Sequence, residues 1–214
     1  MRLNRCHLSC ISMPYSDSSQ HQPLILASSS PFRRELLSRL GVEFSSISPD
    51  IVEDVQPGEA PESMVTRLAE SKAREVAKDH PKALIIGSDQ VAVVDGIVQG
   101  KPGDHQQAVE QLLRASGQRV SFLTGLCLLN SETGHFQVCC EPFHVIFRVL
   151  QQREIENYLL KEKPYNCAGS FKSEGLGISL FERLEGEDPN ALIGLPLIRL
   201  IAMLRNEGVD VLAE

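Results

Sequence analysis

The chain has 214 residues, 42% of them hydrophobic, which is enough for one sizeable α/β domain or two closely fused lobes. Its formal net charge of -7 argues against a general nucleic-acid-binding surface. No apolar run is long enough to span a membrane, and the six cysteines lack zinc-type spacing. We therefore expect a cytoplasmic protein with reduced thiols and no nucleic-acid or membrane partner.

The first 22 residues are polar and rich in Ser, His and Gln. They lack the continuous apolar stretch that a secretory signal requires. We expect residues 1–22 to be a disordered extension and residues 23–214 to form the folded domain.

The segment from Leu24 to Leu37 is the most informative part of the chain. A short apolar run ends in three serines, Ser28–Ser30, and Pro31 then suits the first position of a helix. Unpaired N–H groups at a helix start, serine hydroxyls, Arg33 and Arg34 together make an anion site. The alternative is an ordinary surface helix with a serine N-cap.

A strand over Val42–Ile47 and a helix from about Glu62 to Asp79 are predicted next. Lys72 falls on the otherwise apolar side of this helix. Its ammonium is a candidate ligand for a phosphate oxygen. The alternative is a side chain at the edge of the core that extends its charged end into water.

The apolar run Ala83–Gly87 predicts a buried central strand that delivers Asp89 and Gln90 at its end. A hairpin turn at Asp95-Gly96 follows, and its register places Gln90 opposite Lys101. Asp89 is therefore a candidate general base or metal ligand with a lysine close by. A structural ion pair at a strand end is the alternative.

The second half predicts a helix over about 104–115, a long antiparallel pair (120–129 and 136–149), a helix over about 153–160, a strand over 178–184, and a helix from Pro196 to near Gly208. The two long apolar runs also offer surface for a homodimer. The polar loop Gly169–Gly177 is either a ligand-contact loop or an ordinary charged turn. Together these elements predict an α/β fold with a mixed sheet and a cleft between two lobes.

The chain resembles the Maf family of nucleoside triphosphate pyrophosphatases through six motifs: LILASSSPFRRELL, RLAESKA, GSDQV, GKP, AGSFKSEGLG and GLPL. They span about Leu24 to Gly208, and the match is particularly close to the 7-methyl-GTP pyrophosphatase subfamily. The resemblance implies a Maf/Ham1-like elongated sheet flanked by helices, with a nucleotide-binding cleft. It also implies metal-dependent cleavage, with Mg²⁺ or Mn²⁺, between the α and β phosphates of the substrate.

On this resemblance the catalytic carboxylate is Asp89, with Glu53 as a second metal ligand. The phosphate-binding positions fall on Ser28, Arg33, Lys72 and Lys101. Two departures from the family pattern stand out. The usual Asp-Glu pair reads Val52-Glu53, so position 52 supplies no carboxylate, and Phe32 replaces the first arginine of a paired motif.

Base specificity is expected to depend on Phe32, Gln90 and Glu174. Methylation at N7 makes guanine cationic, which favours an aromatic face and a nearby carboxylate. Relatives acting on pyrimidine triphosphates tend to carry Arg, Thr and Gln at these three positions. The alternatives are that Phe32 packs in the core and that Glu174 is a solvated loop charge.

Two other functions remain open at this point. One is hydrolysis of dTTP, UTP or other modified nucleotides. The other is a non-catalytic nucleotide-binding regulator of septum formation, an idea that the family's name supports. The acid at Asp89 beside Lys72 and Lys101 argues against a pure binder.

Overall fold

The computed structural model describes residues 22–213, so the predicted extension falls, except for Gln22, outside the described residues. The strands are β1 (Leu24–Ala27), β2 (Ser45–Ile47), β3 (Leu84–Val94), β4 (Ile97–Gln99), β5 (Arg119–Asn130), β6 (Phe136–Phe147) and β7 (Phe181–Gly186). The helices are α1 (Pro31–Ser38), α2 (Pro61–Ala77), α3 (His105–Ala115), α4 (Gln152–Glu162), α5 (Pro189–Ile193) and α6 (Leu197–Asn206), with 3₁₀ turns at Ala168–Ser170 and Leu176–Leu180. None of these helices combines the length and the apolar composition of a membrane span.

The strands form one mixed sheet in the order β2-β1-β3-β5-β6-β7, with β4 paired to β3 outside this path. β1 runs parallel to β2 and β3, and the remaining pairs are antiparallel. The predicted mixed α/β fold is confirmed.

Both faces of the sheet pack against helices, because successive residues of a strand point to opposite sides. One face of β1, β3 and β5 packs with α1 and α6 through Leu24, Leu26, Leu84, Ile86, Leu126 and Leu128. The other face packs with α2 through Ile25, Ala27, Ile85, Cys127 and Leu129. The continuous apolar runs of these strands follow from burial on both faces.

A second core fills the far end of the sheet. The last residues of β3, the beginning of β5 and the end of β6 pack there with α3 and α4 around Phe122, Phe143 and Phe147. These two packing regions correspond to the two lobes expected from the sequence.

The edge of β3 that faces away from β5 carries two different partners. β1 pairs with Leu84–Gly87 and β4 pairs with Ala92–Val94. Residues 88–91 therefore have no strand neighbour on this edge, and Asp89 lies in the gap between the lobes.

Several local predictions are confirmed. The hairpin turns at Asp95-Gly96 with Val94 opposite Ile97, and β5 and β6 form the long antiparallel pair. The helix predicted over about 104–115 is α3, and Asp104 caps it through a 2.8 Å hydrogen bond from the Gln107 N–H. The helix after Pro196 ends at Asn206.

Other predictions are wrong in detail. Asp89 lies in the middle of β3 rather than at a strand end, because β5 pairs with it continuously from Leu84 to Val93. The strand predicted over 178–184 begins only at Phe181, since the preceding residues form a 3₁₀ turn. β2 covers only Ser45–Ile47, and the five-residue α5 was not predicted.

Candidate active site

A cavity of about 650 Å³ opens at the gap along β3. Its walls come from the start of α1, the loop before α2, α2 itself, the segment after β4 and the loop between α4 and β7. It brings together every residue that the sequence singled out for the site: Ser28, Phe32, Arg33, Glu53, Lys72, Asp89, Gln90, Lys101 and Glu174. Of the two arginines in the predicted anion site only Arg33 lines the cavity; Arg34 is exposed and is not among the lining residues, because it lies about 100° further round the helix.

Two glycines allow α2 to lie directly on the sheet beneath this cavity. A Cβ atom at Gly87 would come within 2.0 Å of the Ala69 carbonyl oxygen, and one at Gly125 within 2.0 Å of the Val65 carbonyl oxygen. No side chain fits at either point, so the helix backbone packs against β3 and β5. This close approach brings Lys72 into contact with the polar part of β3.

Lys72 joins two carboxylates at the bottom of the cavity. Its Nζ lies 2.6 Å from Asp89 Oδ1 and 2.8 Å from Glu53 Oε1. Lys72 is only 6% exposed, so it does not extend to bulk water as the alternative interpretation held. The direct ionic partner of Asp89 is therefore Lys72 from α2, whereas the sequence had indicated Lys101.

The charges around Glu53 favour its ionised form. Partial burial opposes ionisation, but the hydrogen bond and charge of Lys72, with the charges of Lys101 and Arg33, leave the pKa of Glu53 below its ordinary value. Lys101 is exposed on the cavity wall, two residues beyond the last paired residue of β4. Its position agrees with the register argument, although the strand pairing itself stops at Gln99.

Arg33 is held at the other side of the gap by main-chain and hydroxyl oxygens. Its Nε donates to the Gly194 carbonyl oxygen at 2.8 Å, and its Nη1 lies 3.5 Å from Ser28 Oγ. Ser30 caps α1 by accepting from the Arg33 N–H at 3.4 Å, as the capping interpretation held. Burial lowers the pKa of the Arg33 guanidinium, while the charges of Asp89 and Glu53 oppose this shift.

Aromatic and acidic side chains also line the cavity. Phe32 is half-buried and lines it, as do Phe122, Phe171 and Glu174. Phe32 thus reaches the cavity rather than only the core. Gln90 lines the cavity too, yet its amide nitrogen already contacts Thr124 Oγ1 at 2.9 Å and the Ala191 carbonyl oxygen at 2.7 Å.

Asp89 and Glu53 fit a divalent cation that also contacts a substrate phosphate. Both carboxylates reach the same Lys72 nitrogen, so their oxygens lie close to one another. Within residues 22–213 no group of three or more His, Cys, Asp or Glu side chains converges. Two carboxylates nevertheless suffice for Mg²⁺, which commonly binds one or two of them with water and phosphate oxygens.

Sequence reasoning missed the groups that hold Arg33 and Gln90. The buried Ser88 hydroxyl donates to the Gly194 carbonyl oxygen at 2.9 Å, beside the bond from Arg33. Thr124 donates to the Ala191 carbonyl oxygen at 2.9 Å. The motif GLPL marked Gly194, but nothing local indicated that its carbonyl faces Arg33.

The family model described as Maf-like protein matches residues 23–207. The 7-methyl-GTP pyrophosphatase of Alcanivorax borkumensis is 59% identical over 193 residues, covering 90% of this chain and 98% of the relative. The protein of the same name from Pseudomonas fluorescens is 60% identical, covering 88% and 98%. The Ham1 protein of Staphylococcus aureus shares the fold, with a TM-score of 0.51 at 14% identity, covering 87% of this chain and 100% of that one.

Proposed function

This chain belongs to the Maf family, and we propose that it is a nucleoside triphosphate pyrophosphatase that hydrolyses 7-methyl-GTP to 7-methyl-GMP and diphosphate. One observation carries the proposal. A chain about 60% identical to relatives of that name has one cavity whose lining includes the carboxylates of Asp89 and Glu53, the cations of Arg33, Lys72 and Lys101, and aromatic side chains.

The cations of this cavity suit a departing diphosphate. The leaving group concentrates negative charge, and Arg33, Lys72 and Lys101 border the space that it would occupy. Fixed cations in a partly dry site stabilise such charge more than mobile ions in water do. Ser28 and the N–H groups at the start of α1 would bind a neighbouring phosphate oxygen.

Asp89 is the group that would act on the attacking water. It is 8% exposed and held by Lys72, so its carboxylate has a defined orientation toward the cavity. In this role it would orient the water and accept its proton; the alternative role is to help hold the metal.

Mg²⁺ or Mn²⁺ bound by Asp89 and Glu53 would supply further positive charge to the phosphates. Lys72, which holds both carboxylates in this structure, would then be available to a phosphate oxygen of the substrate.

The aromatic and acidic residues of the cavity lining would recognise the base. Phe32 offers a face to the cationic ring, and Glu174 accepts hydrogen bonds from the ring N1–H and the exocyclic amine while compensating the charge. Gln90 would act from the wall of the same subsite, with its amide nitrogen fixed by Thr124 and α5.

The test is diphosphate release from a panel of nucleotides with Mg²⁺ or Mn²⁺. We expect the highest kcat/KM with 7-methyl-GTP. A preference for dTTP or UTP would contradict the substrate assignment alone. No diphosphate from any nucleotide would contradict the enzyme assignment and favour the binding regulator.

We also propose that the enzyme acts in the cytoplasm and forms a homodimer. The four cysteines among residues 22–213 are free thiols. Most of the apolar surface of β5 is buried within the chain, but Phe136 and Val138 on β6 remain exposed and could contact a second copy. Light scattering of the purified protein measures the oligomeric state directly.

A further inference from the structure

The loop that carries Glu174 has a tightly defined backbone. The N–H groups of Gly175 and Gly177 lie 3.3 and 3.1 Å from the Lys172 carbonyl oxygen. A Cβ atom at Gly177 would come within 2.3 Å of that oxygen, so the turn closes only with glycine there. Phe171, just before the loop, packs edge-to-face against Phe122 at a centroid distance of 5.1 Å. The 172–177 loop therefore leaves the core from a rigid starting point.

Two side chains of α4 hold this loop from outside the cavity. Tyr158 and Glu162 are one helical turn apart, so they lie on the same side of α4. Tyr158 Oη accepts from the Lys172 N–H at 3.1 Å, and Glu162 Oε2 accepts from the Leu176 N–H at 2.8 Å. These two bonds fix the main chain on both sides of Glu174.

Glu162 also pairs with the ammonium of Lys172. Lys172 Nζ donates to the Glu162 carbonyl oxygen at 3.2 Å and lies 3.6 Å from its carboxylate Oε1. The glycine at 175 permits this arrangement, since a Cβ atom there would lie 2.9 Å from Glu162 Oε2. Lys172 lines the cavity beside Glu174, and an unpaired ammonium there would repel a cationic base.

We propose that Glu162 and Tyr158 are positioning residues for recognition of a cationic base, acting through Glu174. Glu162 fixes the loop and compensates Lys172, and Tyr158 fixes the other side of the loop. The inference rests on the proposed function, because it assigns these residues to the base end of that same cavity. Neither side chain is among the residues that line the cavity.

The effect should depend on the charge of the base. A hydrogen bond to a charged group contributes free energy worth about a tenfold change in affinity or more. For Glu162→Ala we expect the ratio of kcat/KM for 7-methyl-GTP to kcat/KM for GTP to fall about tenfold. A higher KM for 7-methyl-GTP should cause most of this, with kcat within about twofold of wild type. Glu162→Gln keeps an acceptor for the Leu176 N–H and should restore part of the ratio.

The control is Glu154→Gln at the other end of α4. Glu154 has the same local chemistry, since it accepts from the Gln151 N–H at 2.8 Å and pairs with Arg148 at 2.9 Å, but it does not line the cavity. Its variant should leave the substrate ratio unchanged. Tyr158→Phe, expected to lower the ratio about threefold, carries the test if Glu162→Ala does not fold.

A double variant distinguishes positioning from a general loss of packing. Glu162 acts partly through Glu174 and partly by compensating Lys172, so Glu162→Ala added to Glu174→Gln should lower the ratio by clearly less than the two single effects multiplied. Independent effects that multiply, or a Glu154→Gln variant that lowers the ratio equally, would overturn the inference. So would an unchanged ratio in Glu162→Ala. A wild-type protein that does not prefer 7-methyl-GTP would instead refute the proposed function.

Discussion

Replacing Asp89 with Asn tests the catalytic centre with the smallest change of shape. Lys72 is 6% exposed and contacts Asp89 at 2.6 Å, so the substitution takes one anion from a buried cation. Isolating a buried charge completely costs about 3–5 kcal/mol. Lys72 keeps Glu53 at 2.8 Å, and that side chain is 57% exposed and partly screened. We therefore expect the free energy of unfolding to fall by about 1–3 kcal/mol, with the fold retained.

Turnover should respond much more strongly than stability. A positioned general base contributes about 10²–10⁴ to a rate, so kcat for 7-methyl-GTP should fall by at least about 100-fold in Asp89→Asn. This corresponds to about 3 kcal/mol or more of lost transition-state stabilisation. The assay is diphosphate release, with urea unfolding of the same samples.

The matched control is Glu59→Gln. Glu59 lies just before α2 and pairs at 2.6 Å with Arg67 of that helix, which also carries Lys72, but Glu59 does not line the cavity. It should keep wild-type kcat. A folded Asp89→Asn variant whose kcat lies within tenfold of wild type would refute the catalytic assignment.

Three further predictions concern the base, the terminus and pH. The first variant combines Phe32→Arg, Gln90→Thr and Glu174→Gln. It should lower kcat/KM for 7-methyl-GTP relative to kcat/KM for UTP by about tenfold or more, and an unchanged ratio would contradict the specificity model. A chain that starts at Gln22 should keep wild-type kcat/KM, since the cavity is built from later residues; a large loss would show a function for the removed segment. Burial raises the pKa of Glu53, but the hydrogen bond and charge of Lys72 lower it by more, so the pKa is lowered overall. Ionised Glu53 therefore stabilises the fold above its unfolded-state pKa of about 4.3, and this stabilisation is lost as the pH falls through the folded-state pKa. The difference in unfolding free energy between wild type and Glu53→Gln should therefore shrink between pH 7 and pH 3, and a constant difference would contradict the charge assignment.

Much of the secondary structure follows from local signals in the sequence. The Asp95-Gly96 turn sets its own register, because only a few conformations close a two-residue hairpin. Pro31 and Asp104 mark helix starts through their own backbone and side-chain chemistry. β7 and α5 were harder because a short strand and a five-residue helix are stabilised by neighbours remote in sequence.

The sequence by itself determined which residue types the site contains. The serines after β1, the lysine on α2 and the acid after Gly87 are all visible as polar residues in apolar surroundings. Such positions stand out because an unpaired polar group is costly to bury.

Only the tertiary structure decided how these residues are paired. Asp89 lies beside a gap because β1 stops at Ala27 and β4 begins its pairing only at Ala92, and strand ends are set by partner strands. Lys72 reaches Asp89 because glycines on β3 and β5 allow α2 to pack against the sheet. These contacts join residues far apart in sequence, and the local periodicity that predicts a helix or strand contains no information about which other element will pack against it.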